Sequence, residues 1–224
     1  MTVEVLADAE AVARRAADLI AEEARASVAA RGRFLLATSG GETPGRMLQH
    51  LAKEDISWRD VHLFQVDERV APTGSPDRNL TQLLENLVGR VAILPGHLHP
   101  MPVEESDLES AVNRYAATLQ EVAGRPPTLD LVHLGLGADG HTASLVPGDP
   151  VVEIEDVDVA VSAPYQGYRR MTLTRPVLNR ARRVLWVVTG TGKVGALARL
   201  RRGDRSIPAG RVSGDRALIV TDTP

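Results

Sequence analysis

Apolar positions 12, 16, 19 and 20 recur at helical spacing within segment 8–30. Asp8 is placed to cap the first turn of that helix and Gly32 to end it. A short, continuously apolar run over 34–37 follows and reads as a buried strand, broken by SGGETP. Thr43 and Pro44 look like an N-cap and first helical residue, which predicts a helix over 44–53. Residues 61–66 form a second strand, ending in Asp67-Glu68-Arg69 and a turn-rich stretch, APTGSPDRN. A helix is expected over 80–88, then a loop or irregular strand through ILPGHLHPMP. Another helix covers 106–123, with Ser106 or Asp107 near its start, and GRPP stops it. Strands are expected over 129–134, 157–163, 171–174, 184–188 and 217–221. Short helices are expected over 176–182 and 194–202. Apolar strands alternating with amphipathic helices predict an α/β fold: a doubly wound, mostly parallel sheet with helices on both faces. No internal repeat or convincing linker interrupts residues 1–224, so a single domain is expected.

The composition narrows the chemistry. There are no cysteines, which removes thiolate catalysis, disulfides and cysteine metal sites. The net charge of −3 gives no basic field for nucleic acid, and 3% aromatics leaves no stacking platform. No apolar run approaches a membrane span and no secretory signal is visible, so a cytoplasmic protein is expected. Basic charge is written almost entirely as arginine: of 26 Lys plus Arg, only Lys53 and Lys193 are lysines.

In open α/β sheets ligands gather beyond the carboxyl ends of the strands. Four such ends here are rich in polar residues or glycine. SGGETP serves equally well as a phosphate cradle, with Ser39 and Thr43 hydroxyls beside Gly40 and Gly41, or as an ordinary strand-to-helix turn. Asp67 and Arg69 end the second strand, where Arg69 suits either a structural ion pair or an anionic ligand. GLGADG at 135–140 matches a dinucleotide pattern, but no long helix follows it, so that reading is rejected. In the same loop Asp139 stands two residues from His141, an arrangement in which a carboxylate orients an imidazole base. TGTGK at 189–193 fails the Walker A spacing, yet puts Lys193 at a strand end. No G-x-S-x-G nucleophile elbow occurs. His62, His97, His99 and His133 show no metal-ligand spacing, and His133 reads as structural.

Taken together, SGGETP, DERVAP with SPDRN behind it, GLGADGHTASLVPG, RMTLTRPVLN and TGTGKVGAL resemble, in order and spacing, the 6-phosphogluconolactonases. These belong to the wider group that includes the glucosamine-6-phosphate deaminase/isomerases. The resemblance runs from about Phe34 to the C-terminus. The deaminase branch resembles GHIAFNEP after its Asp-Gly and supplies a glutamate to its ring-opening histidine. This chain has His141-Thr142-Ala143-Ser144 and no such glutamate. The resemblance implies a Rossmann-like fold and hydrolysis of 6-phospho-D-glucono-1,5-lactone, the second step of the oxidative pentose phosphate pathway. It implies His141 as base, oriented by Asp139, and phosphate held by Ser39, Gly40, Gly41 and Thr43. Asp67, Arg69, Arg170 and Lys193 complete the expected substrate contacts, with Arg169 a neighbouring alternative to Arg170. No metal or organic cofactor is implied, and the only expected partner is the sugar-phosphate lactone, in a monomer or homodimer. A deaminase/isomerase or a non-catalytic sugar-phosphate sensor are the competing expectations.

Overall fold

The computed structural model describes residues 1–224. Strands β1 (Thr2–Val5), β2 (Phe34–Thr38), β3 (Val61–Gln65), β5 (Leu98–His99), β6 (Leu131–Leu134), β9 (Arg183–Val188) and β10 (Ala217–Thr221) form one sheet, in the order β1-β10-β9-β6-β2-β3-β5. Every pairing in it is parallel. Strand side chains alternate between two cores, as the pleat requires. Leu35, Ala37, Val132, Leu134, Val184 and Trp186 face one core. Phe34, Leu36, Leu131, Leu185 and Val187 face the other. Both faces are therefore covered, and the strands read as continuous apolar runs for that reason.

Helices α1 (Ala9–Arg31), α2 (Glu42–Leu51) and α3 (Asn79–Asn86) supply the second core. Helices α4 (Leu108–Ala123), α5 (Arg175–Arg180) and α6 (Val194–Arg201) supply the first. Asp8 Oδ1 accepts the Ala11 N–H at 2.8 Å and Gly32, at φ 72°, closes α1. Asp107 rather than Ser106 caps α4, accepting the N–H groups of Glu109 and Ser110 at 3.1 Å.

Three expectations change. Helix α2 starts at Glu42, with Gly41 at φ 125° in the cap position, so Thr43 is inside the helix and does not cap it. The N-terminal strand β1 was not expected; only four residues long, it carries a polar glutamate and lies on the sheet edge. The segment ILPGHLHPMP, expected as a loop or irregular strand, contributes only β5, a two-residue edge strand. The strands expected at 157–163 and 171–174 do not join the main sheet. β4 (Asp67–Arg69), β7 (Val159–Val161) and β8 (Arg170–Leu173) make a separate antiparallel sheet, β4-β8-β7. Short strands give no sign in sequence of which sheet they will join. No helix is long and apolar enough to cross a membrane.

Three histidines without an assigned role come together beside β3 and β5. His62 stacks on His97 at 3.8 Å between ring centroids, and its Nδ1 lies 3.1 Å from Nε2 of His99. Burial, reinforced by His97, pushes His62 and His99 down to about 4. Their values in the unfolded chain are about 6.5, so the unfolded state binds protons first as pH falls. Their contribution is complete above pH 6.5 and is lost as pH drops toward 4, at up to about 1.4 kcal/mol per pH unit for buried His99 and less for half-buried His62. Urea unfolding should show a lower midpoint at pH 5 than at pH 7, and His99→Gln should flatten that difference. Equal pH dependence in the variant would contradict this reading.

Candidate active site

Because the main sheet is parallel, β2, β3, β6 and β9 all deliver their following loops to one edge. A cavity of about 180 Å³ opens there. Its walls include Gly40, Gly41, Asp67, Arg69, Arg170, Lys193 and His141. The sequence-expected residues converge, with four qualifications, at Ser39, Thr43, Gly41 and Asp139.

Ser39 lines the cavity, but its hydroxyl donates to the His133 carbonyl at 3.0 Å and its N–H to His133 Nδ1 at 3.3 Å. It anchors the loop to β6 rather than offering a free donor. The fully buried His133 is pushed down to about 3, so its imidazole stays neutral and keeps a lone pair for that N–H. Thr43 does not line the cavity. Its Oγ1 lies 2.6 Å from Thr189 Oγ1 and clips the SGGETP turn to the TGTGK loop. The Gly41 N–H is likewise committed, to Gln82 Oε1 at 3.0 Å. Gly40 has a steric reason to be glycine: a Cβ there would fall 2.1 Å from Asn79 Oδ1.

The cations are the unusual part of the cavity. Arg69, Arg170 and Lys193 all border it, and none forms an ion pair, although most arginines elsewhere at the surface do. Arg170 is 5% exposed and its Nε has no hydrogen-bond partner. Its neighbour Arg169 is exposed and does not line the cavity. Burial lowers the affinity of Arg170 for its proton, and Asp67 partly offsets this. Lys193 is held below the usual lysine range, by burial first, with Asp222 opposing. Unpaired, partly desolvated cations at a strand edge favour an anionic ligand. Asp67 lines the same cavity as a buried carboxyl, raised by burial, with Ser144 Oγ donating to it at 2.6 Å.

His141 Nδ1 lies 2.6 Å from Asp139 Oδ1, which also accepts the His141 N–H at 3.1 Å. Asp139 itself does not line the cavity; it stands behind the imidazole. Partial burial works to raise Asp139, but the hydrogen bonds from His141 and Tyr165 outweigh it and hold the carboxyl below its usual range. Nε2 of His141 has no protein partner, leaving one nitrogen for a ligand.

Residues that the sequence reading missed also shape the site. Asn79 and Gln82 line it from α3, and Leu136 and Ala143 from the loop after β6. Asn79 follows the SPDR turn, so its place at a helix start was the available signal. Tyr165 gave none, since its contact with Asp139 spans 26 residues.

Gly137 carries the tightest constraint on the pair. A Cβ there would fall 2.0 Å from His141 Nδ1 and 2.6 Å from Asp139 Oδ1. A crystal structure of Gly137→Ala should show His141 and Asp139 separated beyond hydrogen-bond distance. An undisplaced pair would contradict this packing.

Comparison with known proteins agrees with the geometry. Residues 7–220 match the family described as glucosamine-6-phosphate isomerases/6-phosphogluconolactonase. A 6-phosphogluconolactonase of Synechocystis is 35% identical over 88% of this chain and 84% of its own length. One of Mycobacterium tuberculosis is 35% identical over 99% and 95%. The structure of a 6-phosphogluconolactonase from Thermotoga maritima superposes with a TM-score of 0.83 at 26% identity, covering 98% of each chain. A monomeric glucosamine-6-phosphate deaminase superposes equally well, at 0.85 and 17% identity, so the fold is common to both activities. The site, the fold and these likenesses make the chain a member of the glucosamine-6-phosphate isomerase/6-phosphogluconolactonase family.

Proposed function

We propose that this chain hydrolyses 6-phospho-D-glucono-1,5-lactone to 6-phosphogluconate, with His141 as the proton-transfer residue. The observation that carries the reading is the pairing of an imidazole, backed by a carboxylate and open at Nε2, with three unpaired cations around one small cavity. The names of relatives more than 30% identical support the lactonase branch.

The reaction divides along the cavity. The phosphate binds beside Gly40 and Gly41, near the N-terminus of α2, with Lys193 as a point charge. Arg69 and Arg170 hold the remaining anionic and polar oxygens. Binding the remote phosphate fixes the lactone carbonyl beside His141 and supplies orientation for the chemical step. His141 Nε2 accepts a proton from water as the water oxygen attacks the carbonyl carbon. The charged imidazolium, stabilised by Asp139, returns a proton to the ring oxygen as the C–O bond breaks. The products are the free carboxylic acid, which ionises, and the 5-hydroxyl. The resemblance gives the deaminase branch a glutamate for its histidine, whereas the partners of His141 here are Asp139 and Tyr165.

Lactone loss should be followed against a control without enzyme, because such lactones also open spontaneously. His141→Asn should lower kcat by about 10²–10⁴ while 6-phosphogluconate still binds. Near-normal turnover in that variant would remove His141 as the base. Ammonia release from glucosamine 6-phosphate would favour the deaminase branch instead.

A further inference from the structure

We propose that Tyr165 is a positioning residue of this centre, which locks the Asp139 carboxylate behind His141 and ties the pair to Arg170. The inference rests on the lactonase reading for its rate effects, and on geometry alone for its structural effect.

Tyr165 sits at the tip of the hairpin between β7 and β8. Its N–H donates to the Tyr168 carbonyl at 2.8 Å, and the Tyr168 N–H donates back at 3.2 Å. The two residues between them, Gln166 at φ 50° and Gly167 at φ 85°, are both left-handed. That is a type I′ turn, the tight connection whose twist suits a hairpin. Two further contacts stiffen the tip. The Tyr168 hydroxyl donates to Asp77 Oδ2 at 2.7 Å, and Arg170 Nη2 donates to Gln166 Oε1 at 3.3 Å. The direction of the Tyr165 side chain is thus set by backbone and neighbours.

The phenol then meets the pair at its junction, with Oη 3.4 Å from His141 Nδ1. Asp139 Oδ1 takes both donors of His141, the ring and the main-chain N–H. Tyr165 Oη donates to the other oxygen, Oδ2, at 3.1 Å. With both oxygens occupied, the carboxylate cannot rotate without breaking a hydrogen bond. The ring packs edge-on against the imidazole, 5.3 Å between centroids at 65°. The Arg170 guanidinium lies 5.2 Å from the centroid of the same ring, within cation–π range. One side chain therefore touches the orienting carboxylate, the imidazole and an anion-binding arginine. Asp67, Arg69 and Lys193 complete the charged surroundings of the cavity, and none of them hydrogen-bonds the phenol.

The hydroxyl and the ring have separable roles, which two variants distinguish. Tyr165→Phe keeps the ring and loses one oxygen from a part-exposed tip, so its thermal midpoint should match the unaltered protein. Its kcat should fall about 3- to 10-fold, the loss expected of one hydrogen bond, with KM unchanged. Tyr165→Leu also removes the surface under Arg170, so KM should rise as well. A readout independent of turnover is the downfield proton resonance of the His141 Nδ1–H, assigned by its disappearance in His141→Asn. In Tyr165→Phe it should move further downfield, because an Asp139 with one donor fewer accepts that proton more strongly. An unmoved resonance, or an unchanged kcat, would overturn the proposal. If the unaltered chain opened no lactone, the reading of the reaction would fall, and the resonance alone would decide the role of Tyr165.

Discussion

One buried carboxylate holds the cation-bearing wall of the site in place. Glu68 has no solvent exposure. Its Oε1 accepts the N–H groups of Arg69 and Asn79, at 2.7 and 2.8 Å. Its Oε2 accepts Gln65 Nε2 and the Leu80 N–H at 2.8 Å, and lies 3.0 Å from Nε of the equally buried Arg78. Arg78 is held as well by Glu104 at 2.7 Å and by the Ala71 carbonyl at 3.0 Å, so it is the loss of Arg78, which strips buried Glu68 of its ion-pair partner, that costs about 3–5 kcal/mol. β3, β4 and the start of α3 are drawn to one point, and Asp67, Arg69, Asn79 and Gln82 reach the cavity as a consequence.

The opposite wall is built by the same economy of donors. Two hydroxyls that look like phosphate ligands in sequence serve the scaffold instead: that of Ser39 ties its loop to β6, and that of Thr43 joins two loops. Their neighbours Gly40 and Gly41 remain at the surface of the cavity. The cations are left unpaired while carboxylates serve backbone N–H groups and His141. The proposed phosphate would meet these unpaired cations, with Asp67 the one carboxyl that lines the cavity beside them.

Much of this was legible in sequence because the responsible forces are local or periodic. The strict alternation of two cores explains why 34–37 and 184–188 read as buried strands. Capping at Asp8 and the stop at Gly32 are decided within one helical turn. Glycine-rich strand ends located the cavity because a parallel sheet delivers them to one edge. The remainder depends on contacts across long separations. Whether 157–163 joins the main sheet is settled by β8, which pairs with both β7 and β4. Whether Ser39 faces ligand or protein is settled by His133, 94 residues away. The stacking of His62, His97 and His99 follows from β5 pairing with β3, a pairing two residues long that leaves almost no trace in composition.

The central claim is that one cavity holds phosphate at the Gly40–Lys193 side and presents the reacting carbon to His141. A crystal structure with 6-phosphogluconate bound tests it most directly. The account predicts the phosphate beside Gly40, Gly41 and Lys193, with a carboxylate oxygen about 2.6–3.2 Å from His141 Nε2. A carboxylate bound away from His141, with the phosphate in its place, would contradict it.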